Sequence, residues 1–166
     1  ANYGESQKNI HLVIGLIKGK RMDMAIEKSV EFGIKSIHPV LFERSIKKTL
    51  NSERLSKVIV SSAKQTGRSI FPELKKPVKF LEWIEAYQDR NCFACHFEAK
   101  SKIENVVSSQ TDDVMIIVGP EGDFSANEIA LLKKYETPLV NLGPRRLRSE
   151  SACISAIITA SNIIEG

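Results

Sequence analysis

Two short apolar runs in the C-terminal third of the chain lead straight into Gly-Pro and then into a helix-forming stretch. The first is Ile116-Ile117-Val118-Gly119-Pro120-Glu121-Gly122-Asp123-Phe124-Ser125-Ala126-Asn127-Glu128. The second is Asn141-Leu142-Gly143-Pro144-Arg145-Arg146-Leu147-Arg148-Ser149-Glu150-Ser151-Ala152. A strand, a stiff loop and a helix, used twice, confine the chain to an α/β sheet with backbone groups offered at one edge. Gly119 and Gly122 allow close approach of backbone to a ligand, and Pro120 stiffens the turn between them. Gly143 and Pro144 repeat the device.

The rest of the chain alternates in the same way. Strands are expected over residues 10–17, 36–42, 92–97, 114–118 and 138–142, and helices over 21–33, 52–66, 80–87, 125–135 and 151–164. In the first helix Met24, Ala25, Lys28 and Phe32 fall at helical spacing, and Gly33 ends it. In the second, Leu55, Val58, Ile59, Ser62 and Ala63 share a face, with Asn51 or Ser52 as cap. Ser125 and Glu128 form a capping box for the fourth. Pro39 marks its strand as an edge or argues against the strand. The expected class is α/β with a mostly parallel sheet and helices on both faces. The last helix, apolar nearly all round, needs either the core or a second copy of the chain to cover it, and a symmetric dimer is favoured.

At 166 residues and 42% hydrophobic content, one α/β domain with a full core is expected. The chain opens Ala1-Asn2-Tyr3-Gly4, with no Met and no basic-then-apolar leader, which fits a piece of a longer protein and gives no sign of export. Three cysteines in no framework spacing fit a reducing cytoplasm. The net charge of +4 is mild, but basic residues gather at Lys18 to Arg21, Arg44 to Lys48, Lys75-Lys76 and Arg145 to Arg148. Solvated loops and a phosphate-binding surface both fit that distribution.

Several familiar chemistries fail on spacing. Cys92-Phe93-Ala94-Cys95-His96 has the haem-attachment pattern, but residues i and i+3 of a strand face opposite ways, so neither haem nor zinc is gripped. Gly15 to Arg21 lacks one residue for a phosphate loop and has Arg21 in place of its Ser or Thr. His11, His38 and His96 have no nucleophile signature beside them; His96 is the least safely structural, since it ends a strand at a loop. The two Gly-Pro loops, with Leu142 and Leu147 on their walls, suit a flat heterocycle held by main-chain groups. Arg145, Arg146 and Arg148 beside it suit an anionic second substrate.

These motifs resemble the RsmE-type 16S ribosomal RNA uracil-N3 methyltransferases of the SPOUT superfamily. The resemblance rests on Lys18-Gly19-Lys20-Arg21-Met22, Pro39-Val40-Leu41-Phe42-Glu43-Arg44-Ser45, Gln65-Thr66-Gly67-Arg68 with Pro72, and Gly119-Pro120-Glu121-Gly122. It is strongest in Leu142 to Ala152. Asp123 stands where the family often has a second glycine, and Arg146 where an aliphatic residue is usual. The resemblance implies a C-terminal trefoil knot, a homodimer through the last helix and S-adenosylmethionine as methyl donor. It also implies an N-terminal RNA-binding barrel, of which residues 1–9 would be the remaining linker before a methyltransferase domain at 10–166. Donor contacts are expected from Phe97, Glu98, Gly119, Pro120, Glu121, Gly122, Leu142, Gly143, Leu147 and Ser149. RNA contacts are expected from Lys20, Arg21, Arg44, Arg68 and Arg146, with Arg68 alternatively facing the partner subunit. Arg145 and Arg148 are candidates to stabilise charge on the ring, and Glu150 or Glu121 to accept the N3 proton. Each Glu also has a structural reading, as first-turn carboxylate or loop holder. The expected partner is 16S rRNA within the small ribosomal subunit, in the cytoplasm, with no metal and no membrane. An inactive knotted RNA-binding module, a methyltransferase for another RNA and an enzyme of small nucleotides are the alternatives.

Overall fold

A computed structural model describes residues 5–166. The first four residues of the expected linker therefore lie outside the described residues. Seven strands and five helices alternate: β1 (Asn9–Gly15), α1 (Gly19–Glu31), β2 (Ser36–Leu41), α2 (Ser52–Gln65), β3 (Glu73–Leu74), β4 (Val78–Lys79), α3 (Phe80–Tyr87), β5 (Cys92–Cys95), β6 (Asp113–Val118), α4 (Ala126–Lys134), β7 (Leu139–Val140) and α5 (Ser149–Glu165). All strand pairs are parallel, in the order β3-β2-β1-β6-β5-β7, with β4 also beside β2.

The strands are apolar on both sides because helices cover both. On β6, Val114, Ile116 and Val118 join Leu12, Ile14, Ile37 and Phe93 under α1, α2 and α5. Met115 and Ile117, one residue out of phase, join Val13, Val40 and Ala94 under α3 and α4. α5 brings Ala152, Cys153, Ala156, Ile157 and Ala160 into the first layer. The small residues let it sit close, between α1 and the central strands. No helix among the described residues is long and apolar enough to cross a membrane.

Pro39 is neither on an edge nor out of place. β2 is internal, and Pro39 pairs with Ile14. Lys35 and Ile37 accept on the far side from Glu73 and Lys75. By alternation Pro39 turns its missing N–H toward that same side, where β3 has ended and β4, which pairs from Val40, has not begun. The first helix corrects the expected face. Met24 and Phe32 are 49% and 39% exposed, while Met22, Ala25, Ile26, Ser29 and Val30 are buried. Gly33 does end the helix, at φ 90°. Asn51 is the cap of α2, its side chain accepting from the Arg54 N–H at 3.0 Å.

Candidate functional site

Parallel strands bring their C-terminal ends to one edge of the sheet. Lys18 to Arg21, Arg44 to Lys48 and Arg145 to Arg148 follow β1, β2 and β7, and so meet there. Lys75 and Lys76 lie instead between β3 and β4, with Lys75 bonded to Glu73.

The loop from β6 to α4 is fixed from three sides. Ser125 and Glu128 close the capping box, the hydroxyl accepting from Glu128 N–H and the carboxylate from Ser125 N–H. The second oxygen of Glu128 accepts from Glu43 N–H at 2.8 Å, which ties the loop after β2 to α4. Arg44 then donates to the Gly122 carbonyl at 3.2 Å. A Cβ on Gly122 would stand 3.0 Å from that of Arg44, a tight contact that glycine avoids. Asp123 has φ 68°, the left-handed region that favours glycine, and its own carboxylate accepts from Phe124 N–H at 2.8 Å. The loop from β7 to α5 is joined to the first where Ser149 Oγ donates to the Gly119 carbonyl at 3.2 Å.

Between the two loops lies a cleft of about 350 Å³. Val118, Gly119 and Pro120 form one wall, and Leu142, Leu147 and Ala152 the other. Phe97 stands at the rim under the Arg146 guanidinium, 5.6 Å from ring centroid to carbon. Arg145 and Arg148 line the cleft and make no ion pair among the described residues.

Of the expected donor-binding set, Phe97, Gly119, Pro120, Glu121, Leu142, Leu147 and Ser149 line the cleft. Glu98, Gly122 and Gly143 do not: Glu98 turns outward, Gly122 backs onto Arg44, and Gly143 shapes the turn at φ 125°. Of the expected RNA contacts, Arg21 and Arg146 line it, Lys20 is exposed nearby, and Arg44 braces the loop.

Arg68 is a correction. Its side chain is 5% exposed and lies beyond the opposite ends of the strands. It donates to both oxygens of Glu5 and to the Val30 and Ile34 carbonyls, at 2.8–3.2 Å. A buried guanidinium with four of its five N–H donors committed in this way is not placed to meet phosphate.

The two candidate bases also move. Arg21 pairs with Glu121 and stands 3.8 Å from Glu150 Oε2. Glu150 is 6% exposed, set behind the cleft in the first turn of α5. Glu121 therefore faces a cation across the cleft wall, and Glu150 is set back from the ligand space. Sequence reasoning missed Cys95 and Ala152 as lining residues, and it left His96 and Asp123 without a role. Burial pushes the Cys95 thiol up to about 12, so it stays protonated, and that of Cys92 to about 11.

A parallel sheet with an apolar, arginine-rimmed cleft beyond its strand ends is the architecture of an α/β enzyme that binds a nucleotide-like ligand. The comparisons with known proteins are specific. Residues 4–161 match the model of the RNA methyltransferase domain, and the chain belongs to that family. It is 34% identical over 160 residues to the ribosomal RNA small subunit methyltransferase E of Buchnera aphidicola from Acyrthosiphon pisum, covering 92% of this chain and 63% of the relative. It is 30% identical over 155 residues to the protein of that name from Rickettsia conorii, covering 92% and 64%. The chain thus spans a little under two thirds of these relatives. A putative methyltransferase of Legionella pneumophila, solved with bound SAM, superposes with a TM-score of 0.88 at 33% identity, over 96% of this chain and 68% of that one. The Neisseria gonorrhoeae ribosomal RNA small subunit methyltransferase E, bound to S-adenosyl methionine, gives 0.86 at 27% identity over 96% and 68%.

Proposed function

We propose that the chain is the catalytic domain of a methyltransferase that uses S-adenosylmethionine to methylate N3 of a uridine in 16S ribosomal RNA. The observation that carries this is the cleft itself. It is built from the two Gly-Pro loops, in a family member whose relatives carry the small-subunit methyltransferase name. The residues fit the donor. The volume lies in the range of small-ligand sites, Leu142, Leu147 and Val118 offer apolar walls for a base, and Gly119 and Ser149 lie where the two loops join.

The bound donor supplies an electrophilic methyl group on sulfonium. The protein's part is to hold the acceptor nitrogen in line and to manage charge. Arg145 and Arg148, unpaired and exposed at the cleft, provide positive charge for phosphate and for negative charge developing on the ring carbonyls. Arg21, held by Glu121 and Glu150, is a fixed cation at the inner wall.

The trefoil knot and a homodimer complete the proposal. The outer strip of α5 carries Ile154 and Ile158, half-buried in the single chain, among Ser151, Ser155, Thr159 and Asn162. A second copy packing there would cover them, and Ile158→Glu should then shift sedimentation from dimer to monomer. The reaction would take place in the cytoplasm, where ribosomal subunits are made. Labelled methyl should pass from the donor to unmodified small subunits and appear in 3-methyluridine after digestion. Label on free nucleotides alone, or on no RNA, would reject the assignment.

A further inference from the structure

Glu121 is paired with Arg21 and Glu150 is buried behind the cleft, which leaves the proton acceptor of the reaction proposed above to be found among the other lining residues. Uracil N3 carries a proton that must leave as the methyl group arrives. We infer that His96 is that acceptor and that Asp123 holds its imidazole in place. This rests on the functional reading above.

The placement comes from the fold. His96 follows the last residue of β5, and its backbone N–H donates to Val140 at 2.8 Å, which fixes it beside β7 at the cleft. The side chain lines the cleft and is mostly buried. Its Nδ1 is fully buried with no hydrogen-bond partner, and the nearest carboxylate oxygen, Asp123 Oδ1, stands 3.6 Å away. A small rotation closes that gap into an Nδ1–H donor bond. Nε2 is then the lone-pair nitrogen left for the cleft, the arrangement a carboxylate imposes on a general-base histidine. The other oxygen of Asp123 accepts from Arg146 at 3.3 Å, so the carboxylate is itself oriented.

The surrounding groups do not compete. Cys95 stays a thiol, Glu121 is paired with Arg21, and the remaining charged groups lining the cleft, Arg145, Arg146 and Arg148, are cations. The departure at Asp123 thereby acquires a purpose. A glycine there would satisfy the backbone, whereas aspartate satisfies it at φ 68° and also supplies the carboxylate.

In the step itself the N3–H bond breaks toward His96 Nε2 and its electron pair stays on N3. N3 takes the methyl group as the C–S bond breaks with its electrons left on sulfur. The imidazolium that results is paired with Asp123 and returns its proton to water.

The test is His96→Gln, which keeps a polar side chain but takes no proton at neutral pH. Single-turnover transfer to small subunits should fall by about 10²–10⁴-fold, and the acidic limb of the pH–rate profile should vanish. Affinity for S-adenosylhomocysteine, by calorimetry, should stay within about threefold, because donor contacts are kept. Transfer within threefold of wild type overturns the role of His96 and leaves the functional reading standing. Lost affinity with transfer restored at saturating donor assigns His96 to donor binding instead. A wild-type chain that transfers no methyl overturns both. Without any donor, imidazole ¹⁵N shifts should place the neutral His96 proton on Nδ1 in wild type and show a mixture of the Nδ1–H and Nε2–H tautomers in Asp123→Asn. An unchanged tautomer in the variant overturns the part given to Asp123.

Discussion

The two edges of the sheet hold similar side chains in opposite conditions. At the N-terminal edge, Arg68 is closed on Glu5 and two carbonyls, and Lys35 bonds the same carboxylate at 3.0 Å. Just inside it, a partly buried polar line runs without a gap. Trp83 Nε1–H donates to His38, His38 to Ser36, Ser36 to His11 and His11 to Asp113, over 2.6–3.3 Å. With both imidazoles neutral, the Trp83 bond to His38 Nδ1 sets the direction of each bond after it. At the C-terminal edge, among the described residues, Arg145 and Arg148 make no ion pair, and the buried atoms His96 Nδ1 and Glu150 Oε2 make no hydrogen bond. Buried polar groups are normally paired, so the C-terminal edge is the less completely bonded of the two. Charge alone does not distinguish the edges; the state of its partners does.

The largest expected effects come from the open edge, with the loss in His96→Gln first. Arg148→Ala should slow methyl transfer by about 10²-fold, or ~3 kcal/mol of transition-state stabilisation, with donor affinity nearly unchanged. Equal loss of both would return Arg148 to donor binding. At the closed edge the pattern should reverse. Glu5→Ala strands Arg68 among carbonyls and should cost about 2–4 kcal/mol in urea unfolding without changing donor affinity. The same pair shows in acid. Arg68 holds the Glu5 carboxyl down at about 2, so its contribution is full above the unfolded value of 4.5 and is lost as pH falls toward 2.

Next in size is the effect of His38. Burial lowers it from 6.5 to about 4, with the His11 charge adding to the shift. The unfolded chain therefore binds this proton first, and stability should fall as pH drops from about 6.5 to 4, by at most ~3 kcal/mol. In His38→Gln that slope should shrink; an unchanged slope would move the titration elsewhere. The smallest effect is Met24→Lys, expected within about 0.5 kcal/mol because the side chain is exposed, whereas Met22→Ala should cost about 2–4 kcal/mol.

Local signals carried much of the architecture. The helix Phe80–Tyr87 matches to the residue, as does the capping box of α4, because both are written in neighbouring residues. The face of α1 was misjudged because Met24 and Phe32 keep helical spacing as well as Met22, Ile26 and Val30 do; packing chose between the stripes. The expected strand at 138–142 shrinks to Leu139–Val140, since only those residues find a partner on β5. At the site, the two Gly-Pro loops were legible because glycine and proline state their backbone needs. Arg68 was not, because its partner Glu5 lies 63 residues away in the chain. His96 and Asp123 are 27 residues apart and meet only once β5 and β6 pair in register.

The open edge can be tested against the closed one in a single titration. S-adenosylmethionine added to ¹⁵N-labelled chain should shift the amides of Gly119, Glu121, Leu142, Leu147 and Ser149 and leave those of Gly67 and Arg68 in place. Saturable shifts confined to the Gly-Pro loops are the result expected of a donor cleft; no shifts there, or shifts at Gly67 and Arg68 instead, would contradict it.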